Sequence, residues 1–235
     1  MEDWVSDTGA EMQAEGRNYL ASMGIYVFNR EYLISILDNN PEEKDFGKEI
    51  LPRAIGSTKV LSYQYEGYWT DIGNISSFFE ANLGLTDDLP KFNTFDHTHT
   101  IFTRPRMLAP SKITNTLLAK TEIAEGCIIN AEKIEHAVLG IRSRIGVGTV
   151  ITNAYIMGSD RYQNLEEIQN ETNAGRPLIG VGDNCFINNA IVDKNCRIGD
   201  GVEINGGTHL EDGDYPLFAV REGMVVVKKE GVFAS

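Results

Sequence analysis

The chain has 235 residues, 42% of them hydrophobic, and a formal net charge of −13 at pH 7. It is long enough to bury a full core in one large or two small domains, and its charge would repel a phosphate backbone. Lys and Arg are scattered without a basic stripe, so nucleic-acid binding is not expected. The acidic opening MEDWVSDTGAEMQ has no apolar run and no segment approaches transmembrane length, so neither a signal peptide nor a membrane anchor is expected and the cytoplasm is the expected setting. Cys127, Cys185 and Cys196 are odd in number and lack CxxC spacing, which argues against a disulfide framework or a thiolate zinc site; they read as small core residues.

Taken in chain order, ASMGIYVFN (21–29) is a continuous apolar, β-prone run that predicts a buried central strand. Asn29 is placed to cap a helix over EYLISILDN. KVLSYQYEG (59–67) predicts a second strand. In GYWTDIGNISSFFEANL (67–83), Ile75, Phe78, Phe79, Asn82 and Leu83 fall on one face of a helix beginning after Asn74. These pieces suggest part of an α/β sheet with covering helices, too few to complete one.

After residue 108 a six-residue period sets in. Apolar residues stand at Leu117 and Ile123, then at Leu139, Ile145, Ile151 and Met157, then at Phe186, Val192, Ile198 and Ile204. Four positions after most of them comes a smaller residue: Thr121, Cys127, Ser143, Thr149, Ala190, Cys196 or Val202. The pattern predicts a triangular parallel coil, with the long apolar residues filling the prism and the small ones its corners. Gly140, Gly146 and Gly199 are expected to permit turns. A β-sandwich would instead show regularly spaced hairpin signals, and only Asn205-Gly206 resembles one. The repeat slips near Ile129–Ile134 and is interrupted by a polar segment at about 158–178, with a short helical pattern at Leu165, Ile168 and Thr172.

ASMGIYVF, DFGKEILP, GYWTDIGNISSFFEANLGL, FTRPRMLAPSKI, VLGIRSRIGVGTVI, NAYIMGSDRYQ and GVGDNCFINNAIVDKNCRIGDGVEI together resemble, in order, the C-terminal half of the glucose-1-phosphate adenylyltransferases. The resemblance implies an α/β fragment of a Rossmann-like nucleotidyltransferase domain (1–92), a linker (93–112) and a left-handed parallel β-helix (113–235) with its loop insertion. It implies synthesis of ADP-glucose and pyrophosphate from ATP and glucose 1-phosphate in glycogen or starch synthesis, with Mg2+ as cofactor and a homo-oligomer, a tetramer in the family. The attacking sugar phosphate is already anionic, so catalysis of this kind needs alignment and charge neutralisation rather than a general base.

Residue by residue, the resemblance makes Ser22 a glucose-binding group and Asp71 a catalytic, magnesium-linked carboxylate that also touches substrate. Without it, Ser22 could pack at a strand end and Asp71 could serve the start of the following helix. Asp45 in DFGKEILP lies towards the sugar side in the family, or else caps a helix with Glu49 in its first turn. Arg106, Lys194 and Lys229 match residues that bind anionic effectors between domains in relatives; otherwise they are solvated surface cations. The family's Gly-rich phosphate loop, its other metal-linked Asp and its Glu-Lys pair do not occur in these residues, so the chain by itself is expected to be inactive. Two other classes fit parts of the sequence. One is a hexapeptide-repeat acyltransferase using His136 or His209, neither with an evident partner; the other is a noncatalytic regulatory or assembly subunit.

Overall fold

A computed structural model describes residues 21–234, and the acidic opening segment lies outside them. The chain divides into two compact units, Met1–Trp69 and Thr70–Ser235.

In the first unit, helix α1 (Arg30–Asn39) starts where Asn29 accepts hydrogen bonds from the amides of Glu31 and Tyr32 at 3.0 and 3.2 Å. A π-helical turn, Phe46–Ile50, runs directly into helix α2 (Leu51–Ser57), whose Pro52 sits in the first turn, where a missing N–H costs nothing. Ile36, Ile50 and Ala54 form a small core with Tyr32, Leu33 and Phe46. The two expected strands do not form: residues 21–29 and 59–67 pair with nothing among the described residues, and Val27, Leu61 and Tyr63 are 97%, 78% and 89% exposed. β-propensity describes fitness for a pleated, half-buried surface, and it produces a strand only where a neighbouring strand completes the ladder.

The second unit is a coil of parallel strands that ends in an antiparallel hairpin (Phe218–Arg221 with Met224–Val227) and carries two α-helices. Four seven-residue strands, Leu117–Ile123, Lys133–Leu139, Val150–Ile156 and Phe186–Val192, pair in parallel, each on the next. Each carries a left-handed residue at its centre, Lys120, His136, Asn153 and Asn189, with φ between 44 and 50°. Every one of these strands therefore turns a corner and lies along two faces. Two-residue strands such as Ile128–Ile129 and Arg144–Ile145 supply the third face.

Side chains stack through the coil in columns: Leu118, Ile134, Ile151, Ile187 and Ile204 in one, and Ile113, Ile129, Ile145, Val181, Ile198 and Phe233 in another. The columns correct the expected phase of the repeat at three positions. Leu117 is 61% exposed and Phe186 37%, and the neighbours Leu118 and Ile187 occupy the inward column; Ile156, not Met157, pairs with Leu139. The cause is rung length, because the step from Leu118 to Ile134 is 16 residues and from Ile134 to Ile151 is 17, so a strict six-residue count drifts. The slip near Ile129–Ile134 is one such shortened side, with both residues fully buried.

The glycines need a second correction. Gly140 and Gly146 do not have left-handed backbones; a Cβ on Gly140 would lie 2.3 Å from the Met157 carbonyl oxygen, and one on Gly146 2.4 Å from the carbonyl carbon of Gly182. They are glycine because the next rung passes too close for a side chain.

Cys127, Cys185 and Cys196 sit buried at the corners, as expected of core residues, with their thiols aimed at the carbonyls of Gly140, Gly199 and Lys228 at 3.3, 3.1 and 3.3 Å. Burial raises the pKa of all three, that of Cys196 to about 11. Because the thiolate is the reactive form, the native chain should leave all three thiols unreacted with an aromatic disulfide reagent at pH 8 and release three equivalents after denaturation; rapid native labelling would contradict the packing.

The interruption of the repeat folds as helix α4 (Leu165–Asn173), opened by a capping box between Asn164 and Glu167. It is tied back rather than loose. The Tyr162 hydroxyl donates to Gly126 O at 2.8 Å, the Arg142 guanidinium lies 5.6 Å from the Tyr162 ring centre, and Arg197 donates to Pro177 O at 2.8 Å.

Candidate functional site

In the first unit the backbone gathers three polar side chains. Asp45 Oδ1 accepts from the amides of Gly47 and Lys48 at 2.8 and 2.9 Å, and Glu49 Oε2 accepts in return from the amides of Lys44 and Asp45 at 2.8 and 2.9 Å. Those amide bonds, that from Asp45 first, hold the Glu49 carboxyl below its ordinary value. The capping role expected as the alternative for Asp45 is thus present, with one of its oxygens committed to the turn. Phe46 stacks on Tyr26 with ring centres 5.9 Å apart, and the Tyr26 hydroxyl lies 3.0 Å from Ser22 Oγ. Gly47 connects the two groups: a Cβ there would stand 3.4 Å from Asp45 Oδ1 and 3.9 Å from the Tyr26 hydroxyl. Ser22 and Asp45 therefore share one neighbourhood, bridged by Tyr26. Two exposed hydroxyls beside a carboxylate form a set that can both donate to and accept from the hydroxyls of a sugar. Tyr26 was missed in the sequence because the apolar run around it reads as a strand, although it stands four residues after Ser22.

In the second unit Asp71 lies in a turn that feeds helix α3 (Ile75–Leu83). Its Oδ1 accepts from the Gly73 amide at 2.9 Å, a local turn bond, and Asn74 caps the helix by accepting from Ser77 N at 2.7 Å. The apolar face expected from the sequence is the one that packs: Phe79 and Leu83 are buried against Ile191 and Met224, with Ile75, Phe78, Val138 and Tyr155 around them. Phe78 and Tyr155 contact with ring centres 5.7 Å apart, and Ser76 Oγ hydrogen-bonds a Glu222 carboxylate oxygen at the far end of the coil. The coil therefore seats the helix, and the helix sets where Asp71 stands.

Among the described residues Asp71 keeps one exposed oxygen without a partner, as the exposed Glu66 and Glu80 on either side of the turn keep both of theirs, and no group of three metal-ligating side chains occurs. That donor set fits Mg2+ held by one carboxylate and substrate phosphates, and does not fit an all-protein cage. Asp71 could supply one oxygen to a cation shared with phosphate oxygens, and the ion would then neutralise phosphate charge. The contribution of Asp71 is a fixed carboxylate, oriented by the Gly73 amide.

Lys194 and Lys229 meet at one corner of the coil around a residue the sequence reading did not select. Lys194 Nζ lies 3.0 Å from Asp160 Oδ1, and Lys229 Nζ 3.9 Å from Asp160 Oδ2. The hydrogen bond from Lys194, then that from Asn195, lowers the Asp160 pKa. Arg106 is exposed and is not brought to this cluster by any ion pair among the described residues. Asp160 belongs to the GSDRYQ stretch where the repeat breaks off, which reads only as the start of an insertion. His136, by contrast, does have a partner: its Nδ1 lies 2.8 Å from Asn153 Oδ1, on a corner where side-chain amides continue through Asn188 to Asn205. The imidazole is one step of a polar ladder along the coil.

A parallel coil of shortened hexads, preceded by a capped helix with an exposed Asp in the turn before it, is the architecture of a β-helix with a helical segment upstream. Comparison with known families identifies both parts: residues 10–88 match the nucleotidyl transferase family, and residues 106–235, more than half of the chain, match the GLGC left-handed parallel β-helix domain. The chain belongs to the GLGC β-helix family and has the domain pairing of a glucose-1-phosphate adenylyltransferase-type protein. Its class is that of sugar-nucleotide-forming nucleotidyltransferases, which act on a nucleotide and a sugar phosphate. No helix among the described residues is long and apolar enough to cross a membrane.

Proposed function

We propose that the chain is the sugar-side and β-helix portion of an enzyme that forms ADP-glucose and pyrophosphate from ATP and glucose 1-phosphate in glycogen or starch synthesis. The observation that carries this reading is the pairing of the two family matches, in order, with the Asp71 turn at the end of the first. In this reading Ser22, Tyr26 and Asp45 bind glucose hydroxyls, and Asp71 is the magnesium-linked carboxylate. Arg106, Lys194 and Lys229 receive an anionic metabolite. A cytoplasmic, homo-tetrameric enzyme belongs to the same proposal.

Chemically, the sugar phosphate attacks the α-phosphorus of ATP through an oxygen that is already ionised. The work of this chain is to fix that nucleophile in line. The 235 residues contain no Gly-rich phosphate-cradling loop. Alone they should bind glucose 1-phosphate without releasing pyrophosphate from ATP.

Titration of the labelled chain with glucose 1-phosphate, followed by backbone NMR, tests the sugar-side assignment. Shifts should centre on residues 22–26 and 45–48, and Ser22→Ala should weaken binding about five- to tenfold, the effect of one lost hydrogen bond. Binding indifferent to Ser22→Ala, or equally tight for a sugar phosphate without the glucose hydroxyl pattern, would remove glucose 1-phosphate from the proposal.

A further inference from the structure

We propose that Asp160 is a built-in counter-ion for the Lys194–Lys229 pair, occupying the place of an external phosphate-bearing anion until such an anion displaces it. The proposal rests on the reading of the two lysines as anion ligands, and adds what stands between them when no anion is bound.

The corner is constructed from three successive rungs. Asn195 N donates to Gly158 O at 3.1 Å and Glu230 N to Lys194 O at 3.0 Å, so residues 158–160, 194–195 and 229–230 stack as one column. Within it Asp160 is held by more than its charge. Asn195 Oδ1 accepts from the Asp160 amide at 2.9 Å and from Ser159 Oγ at 3.2 Å, and Asn195 Nδ2 donates to Asp160 Oδ2 at 3.0 Å. One asparagine thus grips both the backbone and the side chain of the aspartate and presents its carboxylate to the two ammonium groups.

The other carboxylate beside Lys194 is engaged elsewhere, since Asp193 Oδ1 accepts from the Lys194 main-chain amide at 2.6 Å. Arg142, on the same corner, is occupied by Ser159 O and the Tyr162 ring. Both ammonium groups are directed at the Asp160 carboxylate, although Asp193 and Glu230 keep their charges in the same column. An incoming anion therefore gains the lysines by replacing Asp160 rather than by meeting a surplus of positive charge. A phosphate brings more charge and more acceptor oxygens than a carboxylate, so it can take over the contacts of Asp160. Lys194, Lys229 and Asp160 have side chains 39%, 54% and 48% exposed, so the exchange takes place in water and its effect is modest.

The test is calorimetric titration of the full chain with inorganic phosphate at low ionic strength, comparing Asp160→Asn, Asp160→Ser, Lys194→Gln, Lys229→Gln and the double variant Asp160→Asn/Lys194→Gln. Removing the aspartate charge should tighten phosphate binding about two- to fivefold, the scale of one exposed ion pair, and the gain should disappear in the double variant. If Lys194→Gln weakens binding but neither Asp160 variant tightens it, the lysine site stands and the counter-ion proposal falls. If phosphate affinity is unchanged in both lysine variants, the anion-site reading itself fails and takes the proposal with it. The unsubstituted chain gives an independent check: saturating phosphate should shift the Asp160 carboxyl carbon resonance and raise its titration midpoint, and an unmoved resonance overturns the proposal even if a variant does not fold.

Discussion

Ile151→Ala should lower the unfolding free energy of the coil by about 2–5 kcal/mol, the range for removing a large aliphatic side chain from a packed core. Ile151 has no solvent exposure and stands in its column between Ile134 and Ile187, which are equally buried. Parallel ladders above and below fix the spacing of the rungs, so the walls of the cavity cannot close and the cost should fall in the upper part of that range. Leu117→Ala is the matched control. By the simple hexad count Leu117 and Ile151 are equivalent, but Leu117 is 61% exposed, and its truncation should change stability by no more than about 0.5 kcal/mol. Urea unfolding of the two variants separates the alternatives, since equal losses would mean that the column register described above is wrong.

That contrast marks how far the sequence could be read. Repetition survives in the sequence because each rung needs an inward aliphatic residue and a small corner residue, and those demands recur whatever the exact rung length. Phase does not survive, because a side of five residues and a side of six look alike until pairing shows which residues share a column. Corner residues in left-handed conformation were hidden for a similar reason. Asn153, Asn189 and Asn195 suit such backbones, but Lys120, His136 and Arg142 adopt them too, held there by the ladders on either side. The unpaired segments at 21–29 and 59–67 show the converse, a strong local preference left unrealised without a partner strand.

The candidate site was legible to the extent that its residues act locally. Asn29 and Asp45 cap helices as read from the sequence, whereas Asn74, and not Asp71, caps the helix that begins after it; Asp71 stands in the turn before that helix. Tyr26 and Asp160 were not legible, because each matters through a contact made elsewhere. Tyr26 reaches Ser22 and Phe46 only once the backbone has bent at Gly24, and Asp160 meets Lys194 and Lys229 across rungs more than thirty residues apart.

Phe79→Ala should cost about 3–5 kcal/mol locally, and its larger consequence should be the release of the Asp71 turn. Helix α3 has nine residues, too few to persist alone in water. It is retained by Phe79 and Leu83 against Ile191 and Met224, with the Ser76–Glu222 contact at its exposed edge. Without the Phe79 ring, which is 6% exposed, the remaining contacts should not hold the helix, while the coil columns, which share no side chain with it, stay closed. Native-state hydrogen exchange distinguishes this from general weakening. Amides of residues 78–83 should lose protection in Phe79→Ala while those of Ile151 and Ile187 keep theirs. Glu222→Gln, which alters only the exposed edge, should leave both sets near their original rates. Equal loss of protection in helix and coil would show that α3 is a cooperative part of the coil, and that the Asp71 turn cannot be freed without unfolding the β-helix beneath it.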